Sequence, residues 1–174
     1  MNHASQIRGR LALLRKGQGG FSIPEAVVVV IILLLLAAMA RPAMAAYLGN
    51  VKHKGAVNAV KRTLQAARSK ALANPMVHCG VYFDVTSSPN RIVVFLDTHA
   101  PGGHAYDDGK DRKPVAPYDL PDGVEISVPD PNPASIIFRG DGSAFLSGKA
   151  VVKSSSFTDT IDVLASTGRI RVMR

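Results

Sequence analysis

The sequence predicts an α+β chain in which one long N-terminal helix precedes a region built only of strands. Three observations carry that expectation. Residues 26–40 are fifteen consecutive side chains without a polar group. Apolar residues then recur at helical spacing from Met44 to Ala71. From Val77 onward the pattern changes to short β-prone runs separated by turn residues. A helix followed only by strands packs over a sheet and does not alternate with it.

Composition narrows the class. The chain has 174 residues, enough for one domain and an extra segment. With 47% apolar and 20% charged residues it is not intrinsically disordered. A single cysteine excludes an internal disulfide framework and a Cys-rich zinc module. The formal charge of +8 would suggest nucleic acid or an anionic surface if it sat on a folded domain. It does not. Residues 1–20 carry four bases and no acid, residues 21–70 seven bases and one acid, and residues 71–174 ten bases and twelve acids. The strand region is slightly acidic, and the basic excess belongs to a leader and a helix.

Residues 21–41 form the first element after the basic leader. The stretch FSIPEAVVVVIILLLLAAMA meets the requirement of about 20 mainly apolar residues for crossing a hydrocarbon core. Lys16 and Arg41 flank it, and Glu25 is its one ionisable group. The residues alone leave three readings. One is a secretory signal peptide, with small residues around Ala40 and Ala45. Another is a signal anchor whose basic leader stays in the cytoplasm. The third gives Glu25 a task, because a carboxylate among apolar residues in a membrane is costly and marks function by default.

Gly19-Gly20-Phe21-Ser22-Ile23-Pro24-Glu25 resembles the cleavage and methylation site of type IV prepilins and related pseudopilins. The resemblance implies that a membrane peptidase cuts after Gly20 and N-methylates Phe21. It also implies that Glu25, fifth in the mature chain, pairs with the Phe21 ammonium of a neighbouring subunit. The chemistry is consistent. Gly20 has no side chain to obstruct a tight site. Pro24 falls in the first turn, where a missing N–H costs nothing. Glu25 lies near the positive end of the helix dipole.

Residues 42–74 continue as an amphipathic half-helix. Met44, Tyr47, Leu48, Val51, Val57, Val60, Leu64, Ala67 and Ala71 mark one stripe. Lys52, Lys54, Lys61, Arg62, Arg68 and Lys70 mostly occupy the other side and read as a solvated face. Pro42 predicts a kink or step. Asn74-Pro75 is a stop, so the helix should span residues 22–74.

Residues 75–174 form a β-rich head, with candidate strands at 77–84, 91–97, 124–128, 135–138, 149–153, 161–165 and 168–174. Residues 98–123, rich in Gly, Pro and Asp, read as a long loop of the functional or mobile kind. Three blocks, one at the end of the helix and two in this head, resemble GspH/FimT-type minor pseudopilins and minor pilins: Leu64-Gln65-Ala66-Ala67-Arg68-Ser69-Lys70-Ala71 followed by Val77 to Val81, then Phe138-Arg139-Gly140-Asp141-Gly142-Ser143, then Ile161 to Val172 with Thr167-Gly168-Arg169. That resemblance implies a pilin-like fold, a long helix packed on an antiparallel β-sheet head. It implies a structural subunit of a type II secretion pseudopilus, anchored by one span in the inner membrane with its head in the periplasm. Its partners would be other pseudopilins or pilins, the prepilin peptidase, an inner-membrane assembly platform and the lipid bilayer.

Sites of chemistry are few. Asp97, Asp107, Asp108 and Asp111 are oxygen-rich and interspersed with Gly, which suits Ca²⁺, but their spacing is not that of an EF-hand. No cofactor is therefore expected beyond that calcium candidate. His99, His104 and the pair His78-Cys79 lack a third ligand or an orienting partner at a defined spacing. No G-x-S-x-G appears, and no enzyme is expected. Arg169 and Arg171 would share one face of a strand, with Arg174 beyond them. This ending resembles the DNA-binding tail of FimT-like pilins, which makes DNA a partner in an alternative reading. An edge strand protected by charge accounts for the same residues.

Overall fold

The computed structural model describes residues 21–98, 105–130 and 134–174. Gly20, the rest of the basic leader, His99 and His104 lie outside the described residues.

Helix α1 spans Ile23–Ala73, one residue shorter at each end than expected. Ser22 starts it. The Ser22 carbonyl accepts the Ala26 N–H at 3.1 Å, and its Oγ accepts the Glu25 N–H at 3.4 Å. Ser22 thus acts as the N-cap of α1, with Pro24 in the first turn. At the other end Asn74 donates to the Lys70 carbonyl at 3.1 Å, and Pro75 cannot extend the ladder. Pro42 lies inside α1 without interrupting the helix.

The chain divides into two compact units, residues 1–44 and 45–174, with the boundary inside α1. In the first unit every large side chain of residues 27–36 is between 45 and 63% exposed. Among the described residues none buries this stretch, and it is apolar and long enough to cross a membrane.

Among the described residues of the second unit, eight strands make two antiparallel sheets. They are β1 (His78–Asp84), β2 (Arg91–Asp97), β3 (Tyr118–Asp119), β4 (Val124–Asp130), β5 (Ser135–Phe138), β6 (Gly148–Ser154), β7 (Thr158–Val163) and β8 (Ile170–Met173). One sheet runs β3-β2-β1-β5 and the other β4-β6-β7-β8. The core joins helix residues Ala56, Val60, Leu64 and Ala67 to Val81, Phe83 and Ile136 of the first sheet and Val152, Ile161 and Val163 of the second.

The two sheets differ in how many faces they bury. In β6 and β7 inward Ala150, Val152, Ile161 and Val163 alternate with outward Lys149, Lys153, Thr158 and Asp162. In β2, by contrast, Ile92, Val93, Val94 and Phe95 are all buried. Val93 and Phe95 face away from the main core, where Ile137 joins them. Tyr106 roofs this second apolar layer, stacked on Tyr82 at 4.7 Å between centroids and tilted against Phe95 at 5.2 Å.

The described part of that stretch, residues 105–123, is therefore not simply a loop. They supply that roof, an antiparallel bridge between Leu96 and Arg112, and the two-residue strand β3. β3 is held by Arg91, whose Nε donates to Asp119 Oδ1 at 2.6 Å. The candidate strand at 161–165 also moves: β7 begins at Thr158 and ends at Val163.

Candidate functional site

Phe21 and Glu25 stand at the start of α1, both exposed, with Glu25 in the first helical turn. The first-turn N–H groups and dipole make this a favourable place for a carboxylate. Their partner in the sequence motif, Gly20, lies outside the described residues.

The three sequence blocks that carry the narrower resemblance meet in space. Arg68 Nε donates to the Gly142 carbonyl and Arg68 Nη2 to the Thr167 carbonyl. Gly142 and Gly168 both have positive φ, 80° and 59°. A Cβ on Gly168 would collide with the Gly142 carbonyl oxygen, so the turns nest only because that Cβ is missing. Asp141 shapes the first turn, accepting from Ser143 Oγ at 2.6 Å and Ser143 N–H at 2.8 Å. Those bonds hold its carboxyl below the usual range.

His53 is a residue the sequence reading missed. It is 1% exposed, and its Nε2 lies 3.1 Å from Asp159 Oδ2 on β7. The Phe157 ring lies 5.6 Å away, centroid to centroid. Its position was findable, since His53, Ala56, Val60, Leu64, Ala67 and Ala71 follow one helical phase. Only part of the apolar stripe is buried. Met44, Tyr47, Leu48 and Val51 are exposed, and burial begins only at His53.

The four aspartates are not gathered into one site. Asp107 pairs with Lys110 at 2.8 Å, and Asp108 with Lys113 at 2.7 Å. Tyr106 Oη also donates to Asp108, at 2.7 Å. Lys113 and Tyr106 together hold the Asp108 carboxyl below its ordinary range. Asp111 is buried and accepts the Asp107 N–H at 2.7 Å. Asp97 sits across from His78 in the β1–β2 register. Among the described residues no three His, Cys, Asp or Glu side chains form a group able to hold a metal ion. Cys79 is buried in the main core, and that burial pushes its thiol up to about 11.

Arg169, Arg171 and Arg174 are exposed. Arg169 precedes β8 and is not within it, which corrects the expected strand of 168–174. Arg171 faces Asp162 across β7–β8, and Asp162 in turn faces Lys149 on β6. The outer face of this sheet therefore carries a row of alternating charge beside the arginines.

No family model and no curated protein matches the sequence. Solved structures do resemble it. The minor pseudopilin EpsH from the type 2 secretion system of Vibrio cholerae matches with a TM-score of 0.50 at 14% identity, over 70% of this chain and 96% of its own. The type IV minor pilin FimU of Pseudomonas aeruginosa, in one crystal form, matches with a TM-score of 0.53 at 12% identity, over 72% of this chain and 90% of its own. At such identities the likeness is one of fold, and the fold is pilin-like: one long helix and an antiparallel β head.

Proposed function

We propose that this chain is a structural subunit of a pilus-like filament, of the kind that forms a type II secretion pseudopilus. A prepilin peptidase would cut it after Gly20. It would then wait in the inner membrane with its head in the periplasm. The observation that carries the reading is the join of two features in one molecule. In the sequence a Gly20-Phe21 step and Glu25 stand before an apolar helix whose residues 27–36 are exposed, and a pilin-like head follows.

Chemistry supports assembly as the mechanism. Residues 27–36 are exposed in the isolated chain and need lipid or neighbouring helices around them. A lone Glu25 is costly in lipid. Pairing with a neighbour's Phe21 ammonium offsets that cost and sets the axial register between subunits. An assembly platform would lift each subunit from the bilayer into the stack.

Two measurements test the reading. Mass spectrometry of the mature protein should find N-methyl-Phe21 at the N-terminus; a start near Pro42 or Ala46 would make the segment a signal peptide. Glu25→Ala should be cleaved normally and fail to enter filaments, and normal incorporation would refute the role of Glu25.

A second reading draws on the exposed Arg169, Arg171 and Arg174. Three guanidiniums at one end of the head offer forks to phosphates, as in a DNA-catching minor pilin. Asp162 beside Arg171 works against it, and the structural role ranks first.

A further inference from the structure

The head carries three Asp-Gly steps, Asp108-Gly109, Asp122-Gly123 and Asp141-Gly142. Such a step has a chemistry of its own. Glycine brings no side chain to shield its amide, so that nitrogen can approach the carboxyl carbon of the preceding aspartate. All three glycines have positive φ, of 89°, 82° and 80°, so that angle does not separate them. Their surroundings do.

Asp141 is locked. Its Oδ1 accepts from both the hydroxyl and the N–H of Ser143. The Gly142 N–H is also engaged, donating to the Arg139 carbonyl at 2.9 Å. Asp108 is locked as well, its Oδ1 accepting from Tyr106 and from Lys113, each at 2.7 Å. At both sites these partners hold the carboxyl below its ordinary range and so in the ionised form, the poorer electrophile. Asp122 differs. Both Asp122 and Gly123 are exposed. Among the described residues nothing bonds the Asp122 carboxylate, and nothing accepts the Gly123 N–H. No atom lies within 4 Å of the place a Gly123 Cβ would take, so the turn has open space beside it.

We propose that Asp122 is a site of spontaneous covalent modification, closing a cyclic imide with Gly123 and reopening as isoaspartate. The Gly123 nitrogen attacks Cγ of the protonated carboxyl. The N–Cγ bond forms, and the amide proton leaves with the carboxyl hydroxyl as water. A second water then adds to either ring carbonyl. Opening at the original main-chain carbonyl breaks its bond to nitrogen and leaves the chain running through Cγ. Mass is unchanged, and the backbone has gained a methylene. The turn has little room for it. Val124 N–H closes the turn on the Pro121 carbonyl at 3.1 Å, and Leu120 and Val124 on either side are buried. The longer chain must give up that bond or shift one of those side chains. The same turn walls a groove of about 290 Å³ whose other side is Ala45, Leu48, Gly49 and Lys52 of α1. The change is therefore felt where head meets helix.

The test holds full-length protein in detergent micelles at mildly acidic pH in water enriched in heavy oxygen. Incubation continues until a denatured sample is labelled at all three steps. Ring hydrolysis leaves one heavy oxygen on the aspartate whichever way the ring opens. Trypsin separates the steps, because Lys110, Arg112, Arg139 and Lys149 lie between them, and fragmentation identifies isoaspartate. In the folded protein Asp122 should take up label at least about tenfold faster than Asp108 or Asp141, whose carboxylates must first give up hydrogen bonds. In denaturant the three rates should converge. Ser143→Ala should speed labelling at Asp141. Asp122→Glu should stop it at that position, since the larger ring closes poorly, with the unfolding temperature kept. Three results would overturn the proposal: no label at Asp122 in the folded protein, equal rates at the three steps in the folded protein, or label at Asp122 without isoaspartate.

Discussion

Arg68 Nε donates to the carbonyl of Gly142 at 2.9 Å, joining the helix to a turn 74 residues further along the chain. Its Nη2 reaches the Thr167 carbonyl at 3.0 Å, so one guanidinium fork fastens two turns of the head to α1. The arrangement needs a planar fork, an unobstructed carbonyl and a glycine with positive φ.

Arg68→Ala should therefore destabilise the full-length protein by about 2 kcal/mol, since hydrogen bonds to charged groups contribute more than neutral ones. Arg68→Lys should restore little, because one ammonium cannot serve both carbonyls in the same geometry. Gly168→Ala should cost about as much, combining left-handed strain with collision against Gly142. Denaturant midpoints measure all three. Wild-type stability in the Ala variants would remove the clamp from the account of this fold.

His53→Ala should cost about 3 kcal/mol, because it opens a space in the core and leaves Asp159 without its partner. Asp159→Asn keeps a group able to bond Nε2 and should cost less. If the two variants unfold at the same denaturant concentration as wild type, the pair contributes nothing to holding helix to sheet.

Tyr106→Ala should uncover Val93 and Phe95 without removing any main-core contact. The expected signature is increased binding of a hydrophobic dye with strand content retained. A variant that binds no more dye than wild type would show that the roof rests on other residues of 105–123.

Cys79 gives an alkaline prediction. Burial raises its thiol to about 11 from an ordinary value of 9.0, so the folded state favours the neutral thiol. The stability this contributes is fully present below pH 9.0 and is lost as pH rises through about 11. Wild type should lose stability between pH 8 and pH 10.5 more steeply than Cys79→Ala, as followed by denaturant unfolding. Parallel losses in the two proteins would contradict it.

DNA binding is the sharpest test of the alternative role. If the arginines bind phosphate, gel shifts with the full-length protein should weaken steeply as salt rises. Arg169→Gln with Arg171→Gln should abolish them, and Asp162→Asn should strengthen them. Absence of salt-sensitive binding in wild type ends that reading.

Much of the architecture could be read from local pattern. Asn74-Pro75 ends α1 within a residue of where turn chemistry predicts, because proline has no N–H to continue the ladder. Most strands fell near their runs because a half-buried strand writes its face into alternate residues. What failed depended on distant partners. β3 is two residues long and pairs with Arg91 and Ile92 of β2, while the buried Leu120 donates to the Asn90 carbonyl, all contacts between distant residues that no period encodes. The roof role of Tyr106 depends on Tyr82 and Phe95, which are neighbours only after folding. Met44 to Val51 continue the apolar stripe yet are exposed, because amphipathicity shows which face is apolar, not what covers it. His53 was passed over because its burial becomes tolerable only with Asp159, 106 residues away. For the proposed assembly role, Glu25 stood out in the sequence because a lone carboxylate in an apolar run is anomalous in any context.

The doubly covered sheet sets how this protein can drift. From Ile92 to Phe95 no position of β2 meets water, so a polar replacement there is penalised on either side of the strand. The sheet of β6 and β7 can change at every second residue. Substitutions should thus accumulate lopsidedly, freely on the outer face of the second sheet and sparingly in the first. Residues 105–123 and the strand beneath them form a coupled unit of inheritance. A lineage that shortens the roof must also turn Val93, Phe95 and Ile137 polar, or carry an adhesive patch it cannot hide.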